Sequence, residues 1–190
     1  LFRREETGPA TVTRLHPFPQ DKNKLFRRLL SFLAFSFLAA IASVLKRGPF
    51  DAVVALSPPL TLGNVGKVAA VRHRCKLILN LQDIFPDVAV ALGKIKSRSS
   101  IELLEKYEKF TYSGSDAITV LSKDLEENVN KKTERIKIPP HVEVVPNFLI
   151  SSSIKPQDRL TKYREEHQLG EKFVVMYAGN LGNCLLYTSD

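Results

Sequence analysis

The sequence predicts an α/β fold built on a parallel sheet. Three observations point there. Short apolar runs rich in β-branched residues recur at 52–56, 77–81, 117–121, 142–145 and 173–177. Segments of helical character and crossover length separate most of them. Small, polar or acidic residues follow the runs, as Ser57-Pro58-Pro59, Gln82-Asp83, Ser122, Pro146-Asn147 and Gly179-Asn180. All five runs are expected to be buried on both faces.

In chain order, 11–15 alternates polar and apolar residues and fits an extra strand or hairpin arm near the sheet edge. The stretch 29–45 is apolar and bounded by Arg27-Arg28 and Lys46-Arg47. It falls short of the ~20 apolar residues of a membrane span and contains Ser31, Ser36 and Ser43, so it predicts a core or interfacial helix. If it is exposed, Phe32, Phe35 and Phe37 with the flanking cations suit a bilayer surface.

Crossover helices are expected at 62–74, at 87–92 with 101–112, and at 123–132. Ser99 with Glu102 reads as a capping box, and Ser122 as an N-cap followed by Asp124, Glu126 and Glu127. On 101–112 the apolar stripe is Ile101, Leu104 and Tyr112. Residues 149–158, with three serines in a row and Pro156, read as a linker. A short helix at 159–167 then ends at Gly170 before the last strand. The organisation expected is a first domain at 1–148, the linker at 149–158, the start of a second domain at 159–183, and a non-native tail at 184–190.

With 44% hydrophobic and 25% charged residues, the chain has the composition of a folded protein rather than a disordered one. The net charge of +8 favours anionic partners, but the cations are scattered and form no stripe for a nucleic-acid duplex. Two cysteines without a CxxC pair exclude a disulfide framework and fit a reducing compartment. His16, His73, His141 and His167 have no partner at ligand spacing, so no metal site is expected. The start at Leu1 is polar and charged, with no visible signal peptide.

In an open parallel sheet, ligands bind beyond the carboxyl ends of the strands. Asp83 stands there, just after an apolar strand, where a carboxylate can accept a bond from a sugar hydroxyl or act as a base. An aspartate capping the next helix would look the same. Ser57, Pro58, Ser122 and Asn147 are cleft-lining candidates, with a helix cap for Ser122 and a turn for Asn147 as the structural alternatives. The segment Gly63-Asn64-Val65-Gly66-Lys67 looks like the end of a phosphate-binding loop, yet Thr61 stands where that loop needs glycine and Val68 where it needs Ser or Thr.

Six motifs occur in order: 51–60 with Ser57-Pro58-Pro59, Asp83-Ile84-Phe85-Pro86-Asp87 with Leu92-Gly93, Leu104-Glu105, 115–122, Val144-Val145-Pro146-Asn147, and 177–182. The series resembles the bacterial family 4 glycosyltransferases, and within them the branch that builds O-antigen, capsular and colanic-acid-type polysaccharides. The resemblance implies a GT-B architecture: most of an N-terminal Rossmann-like domain on the acceptor side, plus the first strand of a second Rossmann-like domain that holds the nucleotide-sugar. It further implies transfer of a sugar from a nucleotide-sugar to a polyprenyl-linked saccharide at the cytoplasmic membrane face. The anomeric configuration would be retained, with neither cofactor nor metal.

Asp83 matches the acidic position that faces the transferred sugar, and Gly179, Asn180 and Gly182 match the loop beside the donor diphosphate. Phe85 replaces the tryptophan usual in this branch. The resemblance also implies a glycine-rich loop upstream of Leu1 and an acidic pair downstream of Asp190, so this chain alone is expected to be inactive. A nucleotide-sugar 2-epimerase would share the arrangement. A basic membrane-surface or nucleic-acid-binding module is the non-enzymatic alternative.

Overall fold

A computed structural model describes residues 2–15, 25–148, 155 and 158–177. The chain divides into two compact units between Pro146 and Asn147.

The first unit opens with a hairpin, β1 (Phe2–Thr7) antiparallel to β2 (Ala10–Leu15), which forms its own two-stranded sheet. Gly8 takes φ +58 at the first turn position and Pro9 follows, the residue order of a type II′ hairpin turn. The arm expected at 11–15 is β2, but it pairs with β1 in a sheet of its own and adds no strand to an edge of the parallel sheet.

Helix α1 (Leu25–Leu45) is not long and apolar enough to cross a membrane. Its polarity is inverted. Ser31 and Ser36 are buried, and Ser36 Oγ lies 2.8 Å from Thr61 Oγ1 of the next helix. Leu30, Leu33, Phe37 and Leu45 are exposed, Phe37 by 67%.

Strands β3 (Ala52–Ser57), β4 (Lys76–Leu81), β5 (Ala117–Val120) and β6 (His141–Val144) form a parallel sheet in the order β3-β4-β5-β6, within a residue of the runs at 52–56, 77–81, 117–121 and 142–145. They are joined by α2 (Thr61–His73), by α3 (Asp87–Ala91) with α4 (Arg98–Tyr112), and by α5 (Lys123–Thr133). This is the Rossmann-like α/β form the sequence predicts.

Burial on both faces is corrected. Ala55, Leu77, Leu79, Leu81, Ile118, Val120 and Val142 alternate onto one buried face, whereas Val54 and Leu56 on the other are 58% and 55% exposed. The cause is topological. Each crossover moves one strand over in the same direction, and right-handed crossovers of that kind put every helix on the same side.

Helix α2 presses on that buried face through its glycines. A Cβ on Gly66 would sit 2.8 Å from both Ala55 Cβ and Leu77 Cδ1, and one on Gly63 would stand 2.4 Å from Thr111 Cγ2. Gly66 therefore serves packing of α2 on the sheet and Gly63 its close approach to Thr111 of α4, which explains why the loop-like spelling at 63–67 lacks the other residues of a phosphate site. Gly66→Val is expected to destabilise the fold by about 1–3 kcal/mol, because Ala55 Cβ is fixed to backbone and cannot yield. A lowered urea midpoint with unchanged slope is the measurement.

The capping box at Ser99 is also corrected. The cap falls two residues earlier, at Ser97, and α4 starts at Arg98; Ile101 N donates to Ser97 O at 3.0 Å, and Glu102 pairs with Arg98 at 3.1 Å instead of reaching back to a cap.

The second unit contains α6 (Lys162–Glu166). Gly170 follows with φ +48, and the Arg164 guanidinium donates to the carbonyls of Gly170 and Lys172. The run at 173–177, expected to be a buried strand, makes no ladder among the described residues, and Phe173 is 90% exposed.

Candidate active site

The site begins with register. Leu56, Asn80, Thr119 and Glu143 pair in sequence across the four strands and so form one row. Just past it, Gln82 N donates to Ser57 O at 3.0 Å and Val145 N to Val120 O at 2.8 Å. The four carboxyl ends therefore finish on a common side, the side where open parallel sheets bind ligands.

Asp83 is exposed two residues past β4. The loop that carries it is fixed from below: Ile84 and Pro86 are buried, Phe85 packs against the core cluster, and Val88 N donates to Ile84 O at 3.1 Å. Ser122 caps α5, its Oγ accepting from Leu125 N at 3.4 Å, and Asp124 and Glu126 fill the first turn. Pro58 is exposed at the tip of β3, while Ser57 is turned inward and buried.

Asn147 is exposed and lies in the second unit, three residues after β6. Gly179, Asn180 and Gly182 lie outside the described residues. The structure thus gathers Pro58, Asp83 and Ser122 at one end of the sheet and sets Ser57 beneath them.

Sequence reasoning missed two sets of polar residues. On the open face, Asn80 Nδ2 donates to Thr119 Oγ1 at 2.9 Å, and Gln82 Nε2 donates to Asn80 Oδ1. The sign was an asparagine inside an apolar run. The second set surrounds Glu108, which is only 2% exposed. Lys132 Nζ donates to both Glu108 oxygens at 2.9 and 2.8 Å and to Asp87 Oδ1 at 2.6 Å. Tyr112 OH donates to Glu108 Oε1 at 2.8 Å, and Asn128 Nδ2 to Asp87 Oδ2 at 3.1 Å.

Burial holds the Glu108 carboxyl above its ordinary range, against the opposing pull of Lys132 and Tyr112. Burial and the adjoining Glu108 carboxylate keep the Tyr112 hydroxyl protonated far above the usual phenol range.

A cavity of about 340 Å³ bordered by Asp51, Arg74, Cys75 and Lys76 lies at the opposite, amino ends of the strands. There Lys76 Nζ meets Asp116 Oδ1 at 2.7 Å and Leu77 N donates to Asp116 Oδ2 at 2.8 Å, so this aspartate joins β4 to β5. Among the described residues no three His, Cys, Asp or Glu side chains cluster to hold a metal ion.

A four-stranded parallel sheet whose crossover helices join successive strands makes this a Rossmann-like α/β domain. Within that class the chain belongs to the glycosyl transferase 4-like domain family, whose model matches residues 2–147. It is also similar to a probable glycosyltransferase, WbjE, of Pseudomonas aeruginosa, with 27% identity over 180 residues. That match covers 92% of this chain and 44% of WbjE, so the chain spans less than half the length of this relative.

Proposed function

We propose that the protein containing this chain is a retaining hexosyltransferase of cell-surface polysaccharide synthesis, with this domain on the acceptor side. The observation that supports this most directly is Asp83, exposed at the carboxyl end of β4 on a loop anchored by buried Ile84 and Pro86, within the region matched by the family model. In the transfer, the acceptor hydroxyl oxygen bonds to the anomeric carbon of the donor sugar, the bond from that carbon to the diphosphate breaks, and the nucleoside diphosphate departs with the bonding pair. Asp83 takes the hydroxyl proton or holds a neighbouring sugar hydroxyl.

Gly179, Asn180 and Gly182 approach the diphosphate, and backbone amides and cations neutralise it in place of a metal. Ser122 lines the acceptor side of the cleft. The acceptor is a polyprenyl-linked saccharide, and the enzyme works at the inner face of the cytoplasmic membrane. The outward apolar residues of α1, between Arg27 and the Lys46-Arg47 pair, support that location.

The test uses the complete reading frame that encodes this chain. Incubated with nucleotide-sugars and a lipid-linked saccharide, the protein is expected to release nucleoside diphosphate and extend the acceptor with the donor's anomeric configuration, equally well in excess chelator. An epimerised nucleotide-sugar formed without acceptor would reject transfer in favour of 2-epimerisation.

A further inference from the structure

We propose that Asp87, Lys132 and Glu108 form a positioning network that holds the Asp83 loop in register with helix α5 and its Ser122 end. Asp87 opens α3 four residues after Asp83, at the far end of the loop whose near end is β4. Both of its carboxylate oxygens are taken by α5: Oδ1 by Lys132 and Oδ2 by Asn128, one turn apart. The lysine is fixed in turn from α4, where Glu108 receives it on both oxygens and is itself held by Tyr112.

Lys132 thus directs its ammonium protons at three carboxylate oxygens, leaving no slack in its placement. Helix α5 is a single rigid element with Ser122 capping its start. Fixing Asp87 to residues 128 and 132, about two and three turns past Ser122, therefore ties the loop after β4 to the helix that leaves the tip of β5. An ionic cluster around a buried carboxylate is a poor way to gain stability compared with apolar packing, and in some proteins such clusters serve to specify geometry instead. Precise placement is what a cleft aspartate needs, since displacement of a reacting group by about 1 Å can cost about a hundredfold in rate.

The network's effect on turnover rests on the proposed transfer reaction; its effect on the loop does not. Asp87→Asn keeps the side chain's shape and removes its charge. In this chain, the amides of Val88 and Val90, which donate to Ile84 O and Pro86 O, are expected to exchange with solvent about tenfold faster, while those of Leu79, Ile118 and Val120 stay unchanged. No change at Val88 and Val90, or equal acceleration throughout the sheet, overturns the proposal.

In the complete reading frame, Asp87→Asn is expected to lower kcat by about tenfold with the nucleotide-sugar KM unchanged. Faster loop exchange with full kcat would leave the network structural only and overturn its positioning role. If the unsubstituted protein transfers no sugar, the functional reading fails and the exchange result alone decides whether the network holds the loop.

Discussion

Lys132→Met is expected to lower the unfolding free energy at pH 8 by about 3 kcal/mol, the lower end of the range for removing one partner of a buried ion pair. The two carboxylates it abandons do not contribute equally. Asp87 has a side chain 37% exposed and can turn towards water, so its share is small. Glu108 has a side chain only 2% exposed and keeps just the Tyr112 hydroxyl as a partner. Its charge would be left in the core with no cation, and that sets the magnitude.

The same reasoning fixes the pH dependence. Glu108 already has a folded pKa raised above its ordinary value of 4.5, because burial outweighs Lys132. A carboxyl with a raised folded pKa contributes stability that is complete below the unfolded value and lost as pH rises through the folded one. Removing Lys132 raises that value further. The cost of Lys132→Met should therefore be greatest at pH 8 and shrink steadily towards pH 5, as Glu108 becomes protonated. Glu108→Gln, which keeps a hydrogen-bonding group beside Tyr112 and leaves Lys132 its contact with Asp87, should cost less and flatten this trend. Urea unfolding of the three proteins across that pH range is the measurement. A pH-independent cost would mean that Glu108 does not carry the charge.

Much of the scaffold was legible because its signals are local. The four strands announced themselves as β-branched runs, and Ser122 caps α5 as its acidic first turn implies. What the sequence hid depends on neighbours. The faces of β3 are chemically alike, and only the order of the strands decides that Val53 and Ala55 face the helices while Val54 and Leu56 do not. Glu108 occupies the stripe of Ile101, Leu104 and Tyr112, four residues from each of the last two. A glutamate at that spacing signals a buried charge, but Lys132 lies 24 residues away and only the packing of α4 on α5 introduces them. Glycines at 63 and 66 hinted at a phosphate loop until the helix and the sheet pressed against them, Thr111 on Gly63 and Ala55 with Leu77 on Gly66, gave a plainer reason. The exposed place of Asp83 after an apolar strand was legible; the burial of Ile84 and Pro86 beneath it was not.

Asp83→Asn should separate function from fold. The carboxylate is exposed, so its loss should alter stability by no more than about 0.5 kcal/mol, the usual range for a surface site. If it accepts the proton of the attacking hydroxyl, transfer by the complete protein should fall by about 10² to 10⁴, the contribution of a positioned general base. That loss should appear in kcat with the KM values little changed, since an amide can still receive a hydrogen bond but cannot take up a proton. If the carboxylate only holds a sugar hydroxyl, the amide should replace it at a small cost, and the change should appear in KM for the acceptor. The two roles therefore predict opposite kinetic signatures from a single isosteric substitution. The Asp87→Asn protein should resemble the first more weakly, because it leaves the base intact and only loosens the loop that presents it.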